Sequence, residues 1–472
     1  MLNAQQPPNR RSGALPRKLG FAAALMVSTM LIAPVANAQS FEQALKDTTF
    51  SGMVGLLNFN YLHNGNGPKD AGAFGVGGHL IVHTGSFEGF SVGVAGYTGQ
   101  SLGIYNNARG SSELTSSYHS IQSIRQAYLQ YQSNYLEVRL GRQLISTPWA
   151  NPDYYTFSPR AFMGVAGKIN FVPTKTGGVD AGPMELSPDN TKFSVFAARM
   201  LNYDSRYSSA FTSGNRYTSS PTNGFLTVGA LFHDNYGTTE FTVQGWYYNF
   251  YRYAQLFYAE ADVTQPISQD LTVFGAGQLT TEGNSSGDGV MKFTDGNADS
   301  VDAQIFGGKL GVTYKNATIA LIGDYSPVHY NSYRHGGLVH PYNDLSGTDF
   351  TDTMQTGLEV LGPGFAYGIA TKFAFLNDKL NLSANYVRYV ARYGHGGDVY
   401  SYTGAYGFAA GPTIPNQKLW ALQVGASYDL SSILKGLYIE DDTDVQVAEN
   451  RGDVGIYKNP YFSNRFYFKY RF

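Results

Sequence analysis

The last ten residues of the chain, Ser463–Phe472, read SNRFYFKYRF. Successive side chains of an extended strand point to opposite faces, so one face of this segment is aromatic, with Phe466, Phe468, Tyr470 and Phe472. The other face is polar, with Arg465, Tyr467, Lys469 and Arg471. A strand with an apolar and a charged face that stops at a terminal Phe is typical of the closing strand of a transmembrane β-barrel, whose outer wall contacts lipid.

The first 38 residues have the pattern of a secretory signal peptide. Basic residues at positions 10, 11, 17 and 18 precede an apolar run from Gly20 to Ala33, and Ala36 and Ala38 provide the small residues read by a signal peptidase. The alternative is a retained membrane helix, but the run is short for a span and ends at Pro34. We predict a signal peptide at residues 1–38 and a single barrel domain at residues 39–472.

Composition narrows the class of protein. The chain has 36 Tyr, 30 Phe and 55 Gly, a mean hydropathy of -0.24, and no later apolar stretch of spanning length, which excludes a helical membrane protein. It has no Cys, which excludes disulfides and thiolate metal sites. Without its leader, which carries four basic residues and no acidic one, it has 29 basic and 35 acidic residues, so nucleic acid is excluded as a partner.

Alternation of apolar and polar residues recurs through the chain in segments of about ten residues, the pattern of a transmembrane barrel. It predicts strands beginning near residues 49, 73, 89, 122, 135, 164, 191, 223, 238, 255, 271, 303, 317, 364, 379, 418, 437 and 463. The predicted fold is all-β: an antiparallel transmembrane β-barrel of about 18 strands with long extracellular loops and short periplasmic turns. One predicted turn, Thr174–Asn190, is long, so either a strand is misplaced there or the turn is enlarged.

A barrel of this width is too wide for side chains alone to fill, so its bore holds water unless a segment narrows it. Only residues 39–48 precede the first predicted strand, which favours a loop over an N-terminal plug. The Pro-rich stretch Ile145–Met163 is the best candidate. We expect Asp153, Tyr154, Tyr155 and Arg160 to line the narrowest part; the alternative is a loop that lies over the rim.

Charged residues on the polar sides of the predicted strands are expected to face the bore, because a charge on the lipid face is costly. They are Arg139, Glu260, Lys309, Asp324 and Lys372. Opposed charges across a constriction would orient dipolar solutes and discriminate among them by charge.

The stretch Leu136–Gly164, LEVRLGRQLISTPWANPDYYTFSPRAFMG, resembles the OprD-type outer-membrane porin family. The matching positions are Pro148, Asp153, Pro159, Phe162 and Gly164. The stretch Phe41–Asp47, with Ser51 and Gly52, resembles the start of the related epsilonproteobacterial major outer-membrane porins.

The resemblance implies a porin in the outer membrane of a Gram-negative cell. Such a barrel allows passive diffusion of small hydrophilic solutes (ions, amino acids, sugars or small organic acids) through a channel narrowed by inward loops, with a row of basic side chains facing acidic groups. An Arg that the family often places before its P-x-x-F-x-G turn would fall near Thr156, which weakens the expectation of specificity for carboxylate-bearing amino acids. Expected partners are outer-membrane lipid, lipopolysaccharide and the solutes, and the barrel is expected to be a monomer or a homotrimer.

Two further functions are weighed against this one. A transporter for apolar compounds is the first alternative, and a barrel-embedded hydrolase is the second. Gly89–Gly93 matches G-x-S-x-G around Ser91, but a strand rather than a helix is predicted to follow it, so we expect no enzyme activity. No cofactor is expected; the oxygen donors of Asp295–Asp299 and Asp442–Asp444 leave open a calcium ion bound by a loop.

Overall fold

The computed structural model describes residues 40–62, 70–104, 120–172, 182–188, 192–215, 221–285, 300–342, 348–395, 413–449 and 460–472. The predicted signal peptide and the acidic stretch 295–299 lie outside these ranges. Among the described residues, no helix has the length and apolar character needed to cross a membrane.

Eighteen antiparallel strands form one closed sheet, which confirms the predicted fold. They are β1 Thr49–Leu62, β2 Ala71–His83, β3 Phe90–Ser101, β4 Ile121–Gln132, β5 Leu136–Gln143, β7 Ala161–Asn170, β9 Phe193–Asp204, β10 Phe225–Tyr236, β11 Thr239–Phe250, β12 Ala254–Pro266, β13 Leu271–Asn284, β14 Asp302–Tyr314, β15 Ala317–Ser326, β16 Gly364–Phe375, β17 Leu380–His395, β18 Thr413–Asp429, β19 Leu437–Ala448 and β20 Tyr461–Arg471. Each pairs with the next in the chain, and β20 pairs with β1 to close the ring.

Five short elements of the described residues lie outside the barrel sheet. The strands β6 Ile145–Ser146 and β8 Met184–Glu185 pair in parallel with each other. Helix α1, Phe41–Lys46, precedes β1, and helix α2, Leu358–Leu361, precedes β16. A single turn of 3-10 helix, Tyr333–His335, follows β15.

The predicted strand starts agree with the structure to within three residues, except that β18 starts at Thr413, five residues earlier than predicted. Its early part pairs with the end of β17, where Tyr393 lies opposite Pro415. The interruption is at Asn416, whose backbone is left-handed with φ of 51°. This residue breaks the alternation of side chains, so a prediction that relied on alternation began β18 only after it.

The strand faces follow the alternation. On β20, Phe466 and Phe468 lie on the outer wall with 38% and 36% of their surface exposed, whereas Tyr467 faces inward and is 1% exposed. The terminal residue takes part in closure, because the backbone N–H of Gly52 donates to the carbonyl of Phe472 at 3.0 Å. The aromatic face quoted from the sequence is therefore the outer wall of the seam.

The outer wall also carries a polar group at the seam. Asn464 Nδ2 donates to Asp441 Oδ1 at 2.8 Å and to Thr443 Oγ1 at 3.0 Å. The register pairs Asp441 with Phe466 and Thr443 with Asn464, which places these side chains on the face turned away from the bore. The polar atoms of this group hydrogen-bond to one another across two strands.

The long connection between β7 and β9 is an enlarged turn, since these two strands pair directly with each other. Its Met184–Glu185 segment pairs with Ile145–Ser146, which follows β5. Arg139 Nη1 donates to the carbonyl of Gly182 at 2.6 Å from the inner face of β5. This turn therefore enters the bore from the end where the short links lie.

Candidate functional site

Two of the described loops that fold into the bore form the candidate site. The first inward loop is residues 144–160, between β5 and β7, and it contacts the inner wall where the N–H of the fully buried Trp149 donates to the hydroxyl of Tyr248 at 3.2 Å. The second inward loop is residues 348–363, between β15 and β16. The first loop thus lies inside the barrel and not over its rim.

Tyr155 lies at the contact between the first inward loop and the seam of the barrel. Its ring lies 5.4 Å from that of Phe59 on β1, measured between centroids. Its carbonyl accepts hydrogen bonds from Arg465 Nη1 at 3.3 Å and from the Tyr467 hydroxyl at 3.2 Å. The hydrogen bond from the Arg160 N–H to the Pro152 carbonyl, 2.5 Å long, closes the base of this segment.

Guanidinium groups surround Tyr155 and its neighbour Asp153. The Tyr155 ring contacts Arg206 and Arg465, whose Cζ atoms are 4.7 and 4.4 Å from the ring centroid. Asp153 Oδ2 is 3.2 Å from an Nη atom of both Arg206 and Arg160. The predicted constriction residues Asp153, Tyr155 and Arg160 are thus brought together, and Arg206 joins them from the link between β9 and β10.

A row of basic side chains follows β20 on its inner face. Arg465 pairs with Asp442 at 2.5 Å, and Lys469 pairs with Glu440 at 2.7 Å. Arg471 lies 4.5 Å above the ring of Tyr438. The alternation had placed the three basic residues on the polar face of the strand, but they were missing from the predicted pore-lining set.

The second inward loop meets the first at Gln355, whose Nε2 donates to the hydroxyl of Tyr155. The N–H of Gln355 and the hydroxyl of Thr353 donate to Asp444 Oδ2 at 3.1 and 3.2 Å. The N–H of Met354 donates to Gln423 Oε1 at 3.0 Å. The sequence analysis did not identify this loop as part of the site. The one feature that pointed to it was length, because residues 327–363 form the longest predicted link.

Two predicted pore charges face inward but are covered by other segments. Asp324, 3% exposed, accepts hydrogen bonds from Gln278 Nε2 at 3.0 Å and from the N–H and the hydroxyl of Thr351, both at 2.7 Å. Arg139, 2% exposed, pairs with Glu137 at 2.9 Å. These side chains hold the second inward loop and the enlarged turn, respectively.

A cavity of about 540 Å³ lies between the two inward loops and the wall formed by β11 to β16. Two of the predicted residues line it, Glu260 and Lys309. Glu260 accepts hydrogen bonds from Gln244 Nε2 at 2.9 Å and from the Tyr258 hydroxyl at 2.5 Å. Lys309 Nζ lies 4.7 Å above the ring of Phe350. Tyr154 and Lys372 are exposed and do not line this cavity.

The serine of the G-x-S-x-G motif and the second predicted calcium stretch both lie within strands of the barrel. Ser91 lies within β3, opposite Gln130 of β4, so the strand–turn–helix geometry of a nucleophile elbow is not formed there. Asp442 pairs with Arg465, and Asp444 accepts a hydrogen bond from Gln446 Nε2 at 3.0 Å. Both carboxylates of the second predicted calcium stretch therefore have protein partners.

Several solved outer-membrane barrel structures are similar to this one. Pseudomonas aeruginosa OccK9 (OpdG) superposes with a TM-score of 0.70 at 13% identity, over 91% of this chain and 99% of that one. A BenF-like porin from Pseudomonas fluorescens Pf-5 gives 0.69 at 13% identity over the same shares. Pseudomonas aeruginosa OccK2 (OpdF), solved in complex with glucuronate, gives 0.65 at 13% identity, over 90% of this chain and 98% of that one.

This chain has their fold. No family model matches its sequence, and no curated protein does. At this level of identity the similarity is one of architecture: the 18-stranded barrel implied by the resemblance to OprD-type porins is confirmed. The resemblance to the epsilonproteobacterial porins stays a prediction.

Proposed function

We propose that this protein is an outer-membrane porin through which small hydrophilic solutes diffuse passively. The observation that carries the proposal is the meeting of two inward loops at Tyr155 and Gln355 inside a closed barrel, beside a cavity lined by charged groups. The outer wall carries the apolar residues that lipid requires, and the bore carries the charges. The short links then lie in the periplasm and the long loops outside the cell.

The charges of the bore supply a mechanism for discrimination among solutes. Glu260 on β12 lies eight strand positions from Arg465 on β20 in a ring of 18, almost directly across the barrel. Glu260 on one wall and the basic row of β20 on the other would set a field that orients a dipolar solute as it passes. The glucuronate bound by OccK2 is a sugar acid, which fits the class of small organic acids, sugars, amino acids and ions.

Liposome swelling tests this proposal directly. Protein reconstituted in vesicles should admit small sugars, amino acids and organic acids at rates that fall with solute size, and planar bilayers should show stepwise conductance. A transporter for apolar compounds would conduct ions poorly and would retain an apolar ligand. A hydrolase would release fatty acid or alcohol from ester substrates and would lose that activity in Ser91→Ala.

We propose that the loop end of the outer wall contacts membrane lipid and lipopolysaccharide. Arg388 pairs with Glu449 at 2.5 Å and lies 3.4 Å from the Tyr367 hydroxyl, on the outward face of β17. An outward Arg beside an aromatic ring suits the anionic head groups of lipopolysaccharide. The oligomeric state, monomer or homotrimer, is read from the mass of the protein–detergent complex by light scattering.

A further inference from the structure

Three carboxylates gather in the second inward loop. One carboxylate oxygen from each of Asp349, Asp352 and Glu359 lies within 4.8 Å of one from each of the other two. Two ligand atoms of a single Ca²⁺, each about 2.4 Å from the ion, are at most about 4.8 Å apart. The three oxygens are therefore close enough to share one ion.

The protein does not satisfy the two aspartates by itself. Both oxygens of Asp352 are buried, and among the described residues neither accepts a hydrogen bond from an N–H or a neutral hydroxyl. Asp349 is 5% exposed; its Oδ2 accepts from the N–H of Glu359 at 3.2 Å, but its Oδ1 has no such donor. Among the described residues, no basic side chain pairs with either aspartate.

Asp324 shows how the same barrel stabilises a buried carboxylate with protein atoms alone. It accepts three hydrogen bonds, two from Thr351 and one from Gln278. Asp352 receives none of this kind and faces the carboxylate of Glu359 instead. Burial of an anion without donors or a counter-charge costs several kcal/mol by order of magnitude. A positive charge is the missing component.

We propose that Asp349, Asp352 and Glu359 bind a divalent cation, Ca²⁺ being the best fit, and that the ion fixes the second inward loop. The donors are all oxygen, which suits a hard cation, and Ca²⁺ tolerates irregular shells of six to eight oxygens completed by backbone carbonyls and water. Two positive charges against three carboxylates reduce the charge of the pocket to a single negative charge. This site is distinct from both stretches singled out in the sequence.

The loop backbone is built around these carboxylates. Gly357 precedes helix α2, and a Cβ at this position would overlap Asp352 Oδ1 and Glu359 Oε2. A bound ion would link Asp349, Asp352 and Glu359 and so tie residues 349–359 together.

The test is a calorimetric titration of the intact barrel with CaCl₂. The protein is refolded into detergent free of lipopolysaccharide, because lipopolysaccharide itself binds divalent cations. Asp352→Asn keeps the size of the side chain and removes its charge, and Glu359→Gln does the same for the second ligand. Asp378→Asn, in the exposed turn after β16, is the matched control for loss of one carboxylate.

We expect the wild type and Asp378→Asn to bind one Ca²⁺ per chain saturably, and both ligand variants to bind at least about tenfold more weakly, because affinity follows the charge count of the ligands. Absence of saturable binding by the wild type at millimolar Ca²⁺ would overturn the proposal, whatever the folding of the variants. Equal affinity in folded Asp352→Asn would overturn it too. Neither outcome bears on whether the barrel conducts solutes.

Discussion

Tyr155 and Gln355 are 200 residues apart in the chain and form a hydrogen bond inside the barrel. One belongs to the first inward loop and the other to the second, so each loop limits the movement of the other. The Tyr155 ring also contacts the guanidinium groups of Arg206 and Arg465, which come from a third loop and from the closing strand. A single aromatic side chain thus joins four segments of the protein beside the seam of the barrel.

Tyr155→Ala is expected to widen the channel. It removes the contact with Gln355 and two cation–π contacts, which together stabilise the loops by about 1–2 kcal/mol. Single-channel conductance should rise and become noisier. Tyr155→Phe keeps the ring in contact with the guanidinium groups. Its conductance should therefore lie between those of wild type and Tyr155→Ala. Tyr154→Ala, at the exposed neighbour, is the control; an equal effect of both alanine variants would contradict the assignment of the constriction to Tyr155.

Asp324→Ala is expected to release the second inward loop while the barrel stays closed. The carboxylate accepts three hydrogen bonds, and hydrogen bonds to a charged group are worth about 1.5–3 kcal/mol each. Amide hydrogen exchange should accelerate across residues 348–361, with the N–H of Thr351 affected first. Exchange in β14 and β16 should stay slow. Unchanged protection of Thr351 would show that other contacts hold the loop.

The strands could be predicted from the sequence because the alternation of side chains is local. Lys309 and Leu310 are adjacent, yet one must face the bore and the other lies 67% exposed on the outer wall. The same information cannot tell what covers an inward side chain. The alternation around Asp324 is the same whether its carboxylate faces water or accepts hydrogen bonds from Thr351. Thr351 belongs to the second inward loop, which lies outside the strands in the sequence.

The enlarged turn after β7 shows the same limit. The sequence revealed that residues 174–190 are too many for a tight turn, but not where they lie. The position of the described part, residues 182–188, depends on the carbonyl of Gly182, which accepts from Arg139, and on the pairing of Met184 with Ile145. These contacts join segments about 40 residues apart, and no local pattern in either segment specifies the other. The basic row on β20, by contrast, was readable once the strand faces were assigned.

The polar group on the outer wall gives a prediction on stability. Asn464→Leu leaves Asp441 without its amide donor on a surface that faces lipid, so it should lower the free energy of unfolding in bilayers by about 2 kcal/mol. Asp441→Leu removes the carboxylate itself and should be neutral or stabilising. The double variant should recover most of the loss, as measured by urea unfolding in liposomes. Equal losses for both single variants would place Asp441 in a different environment.

Charge selectivity should depend on the basic row of β20. Arg465→Gln removes a positive charge beside the constriction and leaves Asp442 without its ion pair. A unit charge about 4 Å from a passing ion contributes about 1 kcal/mol in water, which corresponds to a roughly fivefold change in the local concentration of that ion. The reversal potential in a KCl gradient should therefore shift toward cation preference, and the shift should shrink as the salt rises toward 1 M, where the Debye length is only about 3 Å.

Lys192→Gln makes the same change of charge at the exposed turn end, where the side chain pairs with Asp234 outside the bore. The row lines the solute path if only Arg465→Gln moves the potential, and a shift of equal size in Lys192→Gln would show that the effect comes from the net charge of the protein.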